Sequence, residues 1–267
     1  MAAVPGMRFR VRRVSHDEEV TVVEHLDELR NRLLISLLCL GVAFSVAFWR
    51  HEDIVRLLIR QVPKTTDGRP IDLVVLAVGE QFKIAVTISF WAAVIVALPV
   101  LFYQLYAYVL PAFNPDRSAR TWPLLILVPF LFTCGAVFSY LVVIPAAAKF
   151  LLQFDSNLYL VQPRALDWYE FCVTMMLALG LIFELPAAVL LLTRIGIVNS
   201  RLLRRYRRHA IVALAVLAAA LPGVDPVSMI MEFIPLLVLY EFSIILSKLA
   251  ERKDTVEEDD LDAVTGP

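Results

Sequence analysis

Charge is scarce in this sequence. Asp, Glu, Lys and Arg make up 19% of its 267 residues, where a soluble domain carries about 25%. Apolar residues fill the gap at 59%, and mean hydropathy reaches +0.71. A surplus of that size excludes an ordinary water-soluble domain. Cysteine is nearly absent. Cys39, Cys134 and Cys172 each lie inside an apolar run, with no CxxC spacing. That excludes a disulfide framework or a thiolate metal site and leaves small packing residues. The four histidines, His16, His25, His51 and His209, are scattered, so no metal centre is expected. HExxH, GxSxG, Walker and GxGxxG motifs are missing, which removes the common soluble-enzyme chemistries. No catalytic residue and no cofactor is expected. A net charge of -1 offers nothing to nucleic acid. The first 30 residues have no apolar core and no small-residue cleavage site, so no cleaved signal peptide is expected. The first apolar helix then serves as the insertion signal.

What is present is a series of apolar runs. They cover Leu33 to Trp49, Ile84 to Tyr108, Trp122 to Ile144, Phe171 to Leu192, Ala210 to Leu221 and Met229 to Leu246. About 18 or more apolar residues suffice to cross a bilayer as a helix. The runs lack period-2 alternation, so they are helices and not barrel strands. The chain therefore reads as an all-α polytopic membrane protein with six transmembrane helices. The fifth run is short. Its length leaves two readings open, a re-entrant segment or a short true span paired with the sixth through Pro222-Gly223-Val224-Asp225-Pro226.

The Lys and Arg counts favour six. With six spans, one side collects 17 basic residues and the other 8. The richer side is cytoplasmic by the positive-inside rule, which puts both termini there. The expected organisation is a basic cytoplasmic tail over residues 1–14, a six-helix membrane domain over 15–252, and an acidic, disordered cytoplasmic tail over 253–267. Ser15-His16-Asp17-Glu18 has capping-box spacing. Val20, Val23, Leu26, Leu29 and Leu33 then mark one face of an interfacial helix leading into the first span. No internal repeat is evident, which weighs against an inverted-repeat transporter.

Pro99, Pro129, Pro145, Pro186 and Pro235 lie in or at the ends of the runs. Each removes a backbone hydrogen bond and kinks its helix. Kinked helices assemble into a curved wall more readily than into a straight bundle. Acids inside a membrane helix are costly and mark candidate sites. Glu184 lies near mid-depth and Glu241 near the cytoplasmic end, while Glu28 stands where the first helix meets the membrane. Each has a plainer alternative. Glu184 bonds a neighbouring helix, Glu241 snorkels to the interface, and Glu28 pairs with Arg32 at i,i+4.

The segment His25-Leu26-Asp27-Glu28-Leu29-Arg30-Asn31-Arg32-Leu33 resembles the HLxELRxRL motif of the TatC family of twin-arginine translocase subunits. Leu98-Pro99-Val100-Leu101-Phe102-Tyr103-Gln104 with Pro111 is similar to that family's second helix. Phe183-Glu184-Leu185-Pro186, followed by Gly196-Ile197, resembles its FExP motif. Asp225-Pro226-Val227-Ser228 with Pro235 and Tyr240-Glu241 resembles its last loop and sixth helix. The motifs run in family order from about Val22 to Ser247.

The resemblance implies a kinked, cupped helix wall in the bacterial cytoplasmic membrane. It implies a receptor for paired-arginine signal peptides of folded cargo. It also implies recruitment of small single-span subunits of the TatA/TatB type, export driven by the proton-motive force, and homo-oligomers within the complex. Signal-peptide contacts would fall on Glu28, Arg30, Tyr108 and Asp116. A partner-binding or intramembrane polar site would involve Gln104, Glu184, Asp225 and Glu241. In the first cytoplasmic loop, Asn114-Pro115-Asp116-Arg117 departs from the family's glutamate-then-basic pattern, and Asp116 is the nearest acid. The alternatives are a proton-coupled secondary transporter using Glu184 and a membrane scaffold. Planar guanidinium groups pair bidentately with carboxylates, which is the physical case for Glu28. The alanines of the fifth helix, among them Ala213, Ala218 and Ala219, offer a small-residue face for a partner helix.

Overall fold

The computed structural model describes residues 22–64, 71–113, 122–154, 161–194, 196–221 and 225–265. The expected basic tail, the Ser15 capping box, Asp116 and the Pro222-Gly223-Val224 turn lie outside these residues.

Every apolar run is helical. α1 (Val22–Trp49) joins the interfacial stretch and the first run without a break, and α3 (Glu80–Phe113) carries the second. Between them α2 (His51–Ile59) is a short amphipathic helix that buries Leu58. The third run forms α4 (Trp122–Phe138), a π-helical turn over Ser139–Val143, and α5 (Ile144–Gln153). Pro145 lies two residues after the end of the π turn. Its ring cannot donate to the preceding turn and collides with the carbonyl four residues back, and a widened turn is the usual accommodation.

The fourth run splits into α6 (Ala165–Phe183) and α7 (Leu185–Arg194), with Glu184 as the C-cap of α6. The cause is Pro186. The Glu184 N–H bonds back to Leu181 O at 3.1 Å, and the helical ladder resumes with Ala188 N–H to Glu184 O at 2.9 Å. A surface helix α8 (Ser200–Arg205) precedes the short α9 (Arg207–Ala220), and α10 (Pro226–Thr265) completes the chain. Among the described residues, five helices or helix pairs are long and apolar enough to cross a membrane. The fourteen residues of α9 span about 21 Å at 1.5 Å per residue, short of a ~30 Å hydrocarbon core.

α10 runs on as helix through residues 253–265. Glu251 through Thr265 contains neither Gly nor Pro, so nothing in that stretch forces the helix to stop before Gly266.

In packing order, α1 lies on α3, α3 on α4 and α6, α4 on α6, α7 on α10, and α9 on α10. Lipid is as apolar as these side chains, so burial between helices within the bilayer gains little from the hydrophobic effect. Close approach and hydrogen bonds decide the packing instead. The α4–α6 crossing shows this. Gly135 lets Leu179 O and the Phe183 side chain come so near that a Cβ there would lie 2.7 Å and 2.8 Å from them. Gly180 makes room in return for the Phe132 ring.

At the end of the bundle bearing α2, hydrogen bonds do the holding. Trp168 Nε1 donates to Leu58 O at 3.3 Å, and Tyr140 Oη donates to Leu57 O at 3.0 Å. The loops before α3 and α6 meet through Val74 N–H to Pro163 O and Ala165 N–H to Val74 O. At the opposite end, Thr193 Oγ1 donates to Ser247 Oγ at 3.0 Å, tying α7 to α10. There the Ser200 hydroxyl also donates to Glu251 at 2.6 Å, joining the start of α8 to α10.

Candidate functional site: a guanidinium-bearing carboxylate and two buried acids

Glu28 lies in the second turn of α1, half-exposed. Its carboxylate is occupied. Oε1 accepts from Arg32 Nε at 2.9 Å and from Arg32 Nη2 at 2.6 Å. The i,i+4 spacing brings the two onto one helix face. Arg32 also donates from Nη1 to Gln104 Oε1 on α3 at 3.1 Å. Glu28, Arg32 and Gln104 thus form one chain of charge-assisted bonds from α1 to α3. Arg32 was not among the expected site residues, although its spacing from Glu28 pointed to it. Arg30 is exposed, and two residues along a helix place it about 200° around from Glu28, so the two do not share a face. Tyr108 is half-buried one turn beyond Gln104 on α3.

The residues expected to form a polar or partner site divide into two kinds. Asp225 and Glu241 are bonded within the chain. Asp225 caps α10. Its Oδ1 accepts the backbone N–H of Val227 at 3.1 Å and of Ser228 at 2.8 Å, and its Oδ2 accepts the Ser228 hydroxyl. An acid at a helix N-terminus satisfies otherwise unpaired donors and suits the helix dipole. Glu241 accepts from Arg207 Nη2 at 2.7 Å, and the neighbouring Tyr240 hydroxyl donates to Leu203 O at 2.8 Å. The first contact holds α9 against α10, and the second holds α8 there.

Glu184 is of the other kind. It is 7% exposed, and both carboxylate oxygens lack a hydrogen-bond partner among the described residues. The break that Pro186 imposes is where it sits. One acid shares this state and was passed over in the sequence. Glu232 on α10 is 0% exposed with both oxygens unbonded. The signal that singled out Glu184, an acid inside an apolar run, was present for Glu232 too. Ser139, in the π turn, adds a buried hydroxyl without a partner.

A second pairing escaped the sequence because its members are far apart. Glu80 opens α3, almost fully buried. It accepts Leu76 N–H at 2.9 Å, Ala77 N–H at 3.0 Å and Arg164 Nε at 2.8 Å. Gly79, at φ 81°, makes the tight turn that lets the carboxylate reach back to those amides. The bond to Glu80 holds the Arg164 guanidinium pKa above its ordinary value. The alanine face expected on α9 is partly turned inward. Ala218 is buried in the packing of α9 on α10, whereas Ala213, Ala219 and Ala220 remain exposed.

The model of the family described as Sec-independent protein translocase protein (TatC) matches residues 24–235. The chain is 33% identical over 232 residues to the Sec-independent protein translocase protein TatC of Deinococcus radiodurans, covering 85% of each chain. It is 33% identical over 234 residues to the protein of the same name from Aquifex aeolicus, covering 87% of this chain and 96% of that one. Among solved structures, a crystal structure of the twin arginine translocase receptor TatC in DDM superposes with a TM-score of 0.73 at 31% identity. That match covers 84% of this chain and 99% of the other.

Proposed function

The chain belongs to the TatC family of Sec-independent protein translocase proteins, and from that premise we propose that it is the receptor subunit that binds twin-arginine signal peptides. It is a multi-pass protein of the bacterial cell membrane, a component of protein transport and not an enzyme. In this reading Glu28 is the acceptor for a signal-peptide guanidinium. One observation carries it. Glu28 stands half-exposed near the start of α1 with a guanidinium already seated on it at 2.6 Å. A carboxylate that holds one planar guanidinium in this setting has the shape and charge to hold another. Asp116 contributes to the same binding from the first cytoplasmic loop.

The wider arrangement follows. The six spans are α1, α3, α4 with α5, α6 with α7, the short α9, and α10, and both termini are cytoplasmic. The helices form a cupped wall. The bilayer thins beside α9, because a short span is accommodated in part by thinning. Small single-span subunits of the TatA/TatB type dock from the membrane near α9 and Glu184, and the proton-motive force drives export. Burial without a bonding partner is what supports Glu184 as the polar docking point.

The decisive test compares crosslinking of an Arg-Arg and a Lys-Lys signal peptide to the wild type and to Glu28→Lys in membranes. The wild type captures the Arg-Arg peptide preferentially, and Glu28→Lys captures neither. Losing a charge-assisted bond is worth about 1.5–3 kcal/mol, roughly ten- to a hundredfold in affinity. Wild-type capture by Glu28→Lys would remove Glu28 from the site.

A further inference from the structure

Glu28 is not an open acceptor. Arg32 places two donors on one of its oxygens, Oε1. Among the described residues, no hydrogen bond reaches Oε2. The Glu28 side chain is 41% exposed and that of Arg32 24%, so the resident guanidinium lies on the more sheltered side of the carboxylate, toward α3. There its Nη1 is bonded to Gln104. A guanidinium has five N–H donors in a fixed fork, and Arg32 divides that fork between two partners on two helices.

We infer that Arg32 is a built-in competitor for Glu28, and that it sets how strongly the receptor prefers arginine over lysine. The inference rests on Glu28 being the signal-peptide site. A guanidinium gains its full geometric match to a carboxylate only when it reaches both oxygens. An incoming arginine can do so only if Arg32 gives up Oε1. Binding is then an exchange of one guanidinium for another, in which two contacts are lost and two are formed. Arg32 is not stranded by the exchange, because Gln104 still accepts its Nη1.

A lysine is placed differently. Its ammonium is a compact, strongly hydrated point charge with no fork. It finds Oε2 open but offers no planar pair of donors to replace those of Arg32 at Oε1. It must therefore settle for one contact beside a second positive charge. The resident arginine raises the threshold for every cation, and raises it most for an arginine, which has to evict it from Oε1. Arg32 is on this account a positioning residue that acts through Glu28, and the selectivity ratio is its signature.

The test measures affinity of Arg-Arg and Lys-Lys signal peptides for the full-length protein in nanodiscs, comparing wild type, Arg32→Gln and Arg32→Lys. An exposed ion pair of this kind shifts an equilibrium by at most about two- to fivefold. Arg32→Gln should strengthen Arg-Arg binding by about that factor and Lys-Lys binding by less, so that the preference widens. Arg32→Lys keeps the charge but lacks the fork, and should fall between. An unchanged preference in Arg32→Gln, or a proportional weakening of both peptides, overturns the inference and leaves Arg32 as a mere support for Glu28. If Arg32→Gln does not fold, Arg32→Lys decides by the same criterion. Glu28→Gln separates this inference from its premise. If it leaves Arg-Arg binding intact, the premise fails. If it abolishes binding while the Arg32 variants keep the wild-type preference, only the competitor role fails.

Discussion

Gly135 gives the sharpest test of how the membrane domain is held together. In Gly135→Ala the new Cβ would meet Leu179 O at 2.7 Å and Phe183 Cβ at 2.8 Å. Neither neighbour can swing away, since one is backbone and the other is the root of a side chain. Ordinary contact requires about 3.5 Å between heavy atoms, so α4 and α6 must separate locally by roughly 0.7 Å. A gap of that size forfeits a quarter to a half of the dispersion energy of each contact along the crossing. Overpacking of this kind costs about 1–3 kcal/mol. At about 2–4 °C per kcal/mol for a chain of this size, the apparent Tm should fall by about 2–12 °C. The matched control is Gly41→Ala on α1, where a Cβ meets nothing within 4 Å. There the substitution only gains helix propensity, by up to about 1 kcal/mol. Both variants would be purified in the same detergent and melted with a thiol-independent probe, because Cys39, Cys134 and Cys172 complicate a thiol dye. Phe183 directly precedes Glu184, so Gly135→Ala should also displace that carboxyl and lower export. A Gly135→Ala protein as stable as Gly41→Ala would show that the α4–α6 crossing is looser than this geometry.

Single cysteines at Asn199 and Asp225, in a background lacking the three native ones, should label from opposite faces of the membrane. Labelling from one face would reduce the six spans to five. Arg164→Ala leaves Glu80 with its two amide bonds but no counter-charge, and should loosen the loop around Val74 to protease. The double variant Arg164→Ala with Glu80→Ala should be less affected than the single, because an orphaned buried charge is worse than none. A double variant cleaved faster than the single would refute the pairing as the cause. Glu184→Leu and Glu232→Leu should each stabilise the protein by about 1–3 kcal/mol, the usual cost of an unbonded buried polar group. Glu184→Leu should at the same time lose crosslinking to small single-span subunits, while Glu184→Gln keeps part of it. A destabilised Glu184→Leu would mean that its carboxyl is already held.

The spans were legible because a bilayer imposes long apolar runs, and all six runs are helical. Proline positions foretold the break at Glu184 and the disturbed turn before Pro145, though not that the latter would be π-helical. α2 and α8 were not legible. At nine and six residues, an amphipathic pattern is too short to stand out from a polar loop. The Arg32–Glu28 pair could be read from its spacing of four. The Arg164–Glu80 pair could not, because 84 residues separate its members and only the meeting of two loops joins them. Asp225 looked like a site residue through the family resemblance, and Glu241 as an acid inside an apolar run. What the sequence could not show was that a helix N-terminus and Arg207 already satisfy them. Backbone continuity and the absence of Gly and Pro let α10 run on to Thr265.

Placement sorts the acids. Glu28, Glu80, Asp225, Glu241 and Glu251 each have a bonded partner and lie at or near helix ends or interfaces. Among the described residues, Glu184 and Glu232 have none. The Thr193–Ser247 bond gives a common level on α7 and α10 from which to place these two. Counting back along each helix, Glu184 is nine residues away and Glu232 fifteen, or about 14 and 22 Å at 1.5 Å per residue. Both distances run away from the end of the bundle that bears the arginines of α8. Glu184 therefore sits near mid-depth, and Glu232 about 9 Å further on, six residues from the start of α10. A chain that bonds its other buried acids so fully has the means to replace these two with leucine and become more stable. Stability is a poor reason for an unbonded acid at such depth, and function is the usual one. Exposure then separates their roles. Glu184 stands at a proline-made break with a little surface showing, so a docking helix needs only a small opening to reach it. Glu232 is sealed within the continuous α10, so a partner can reach it only by moving that helix. On this physical ground we propose Glu184, and not the more deeply buried Glu232, as the acid that contacts a partner.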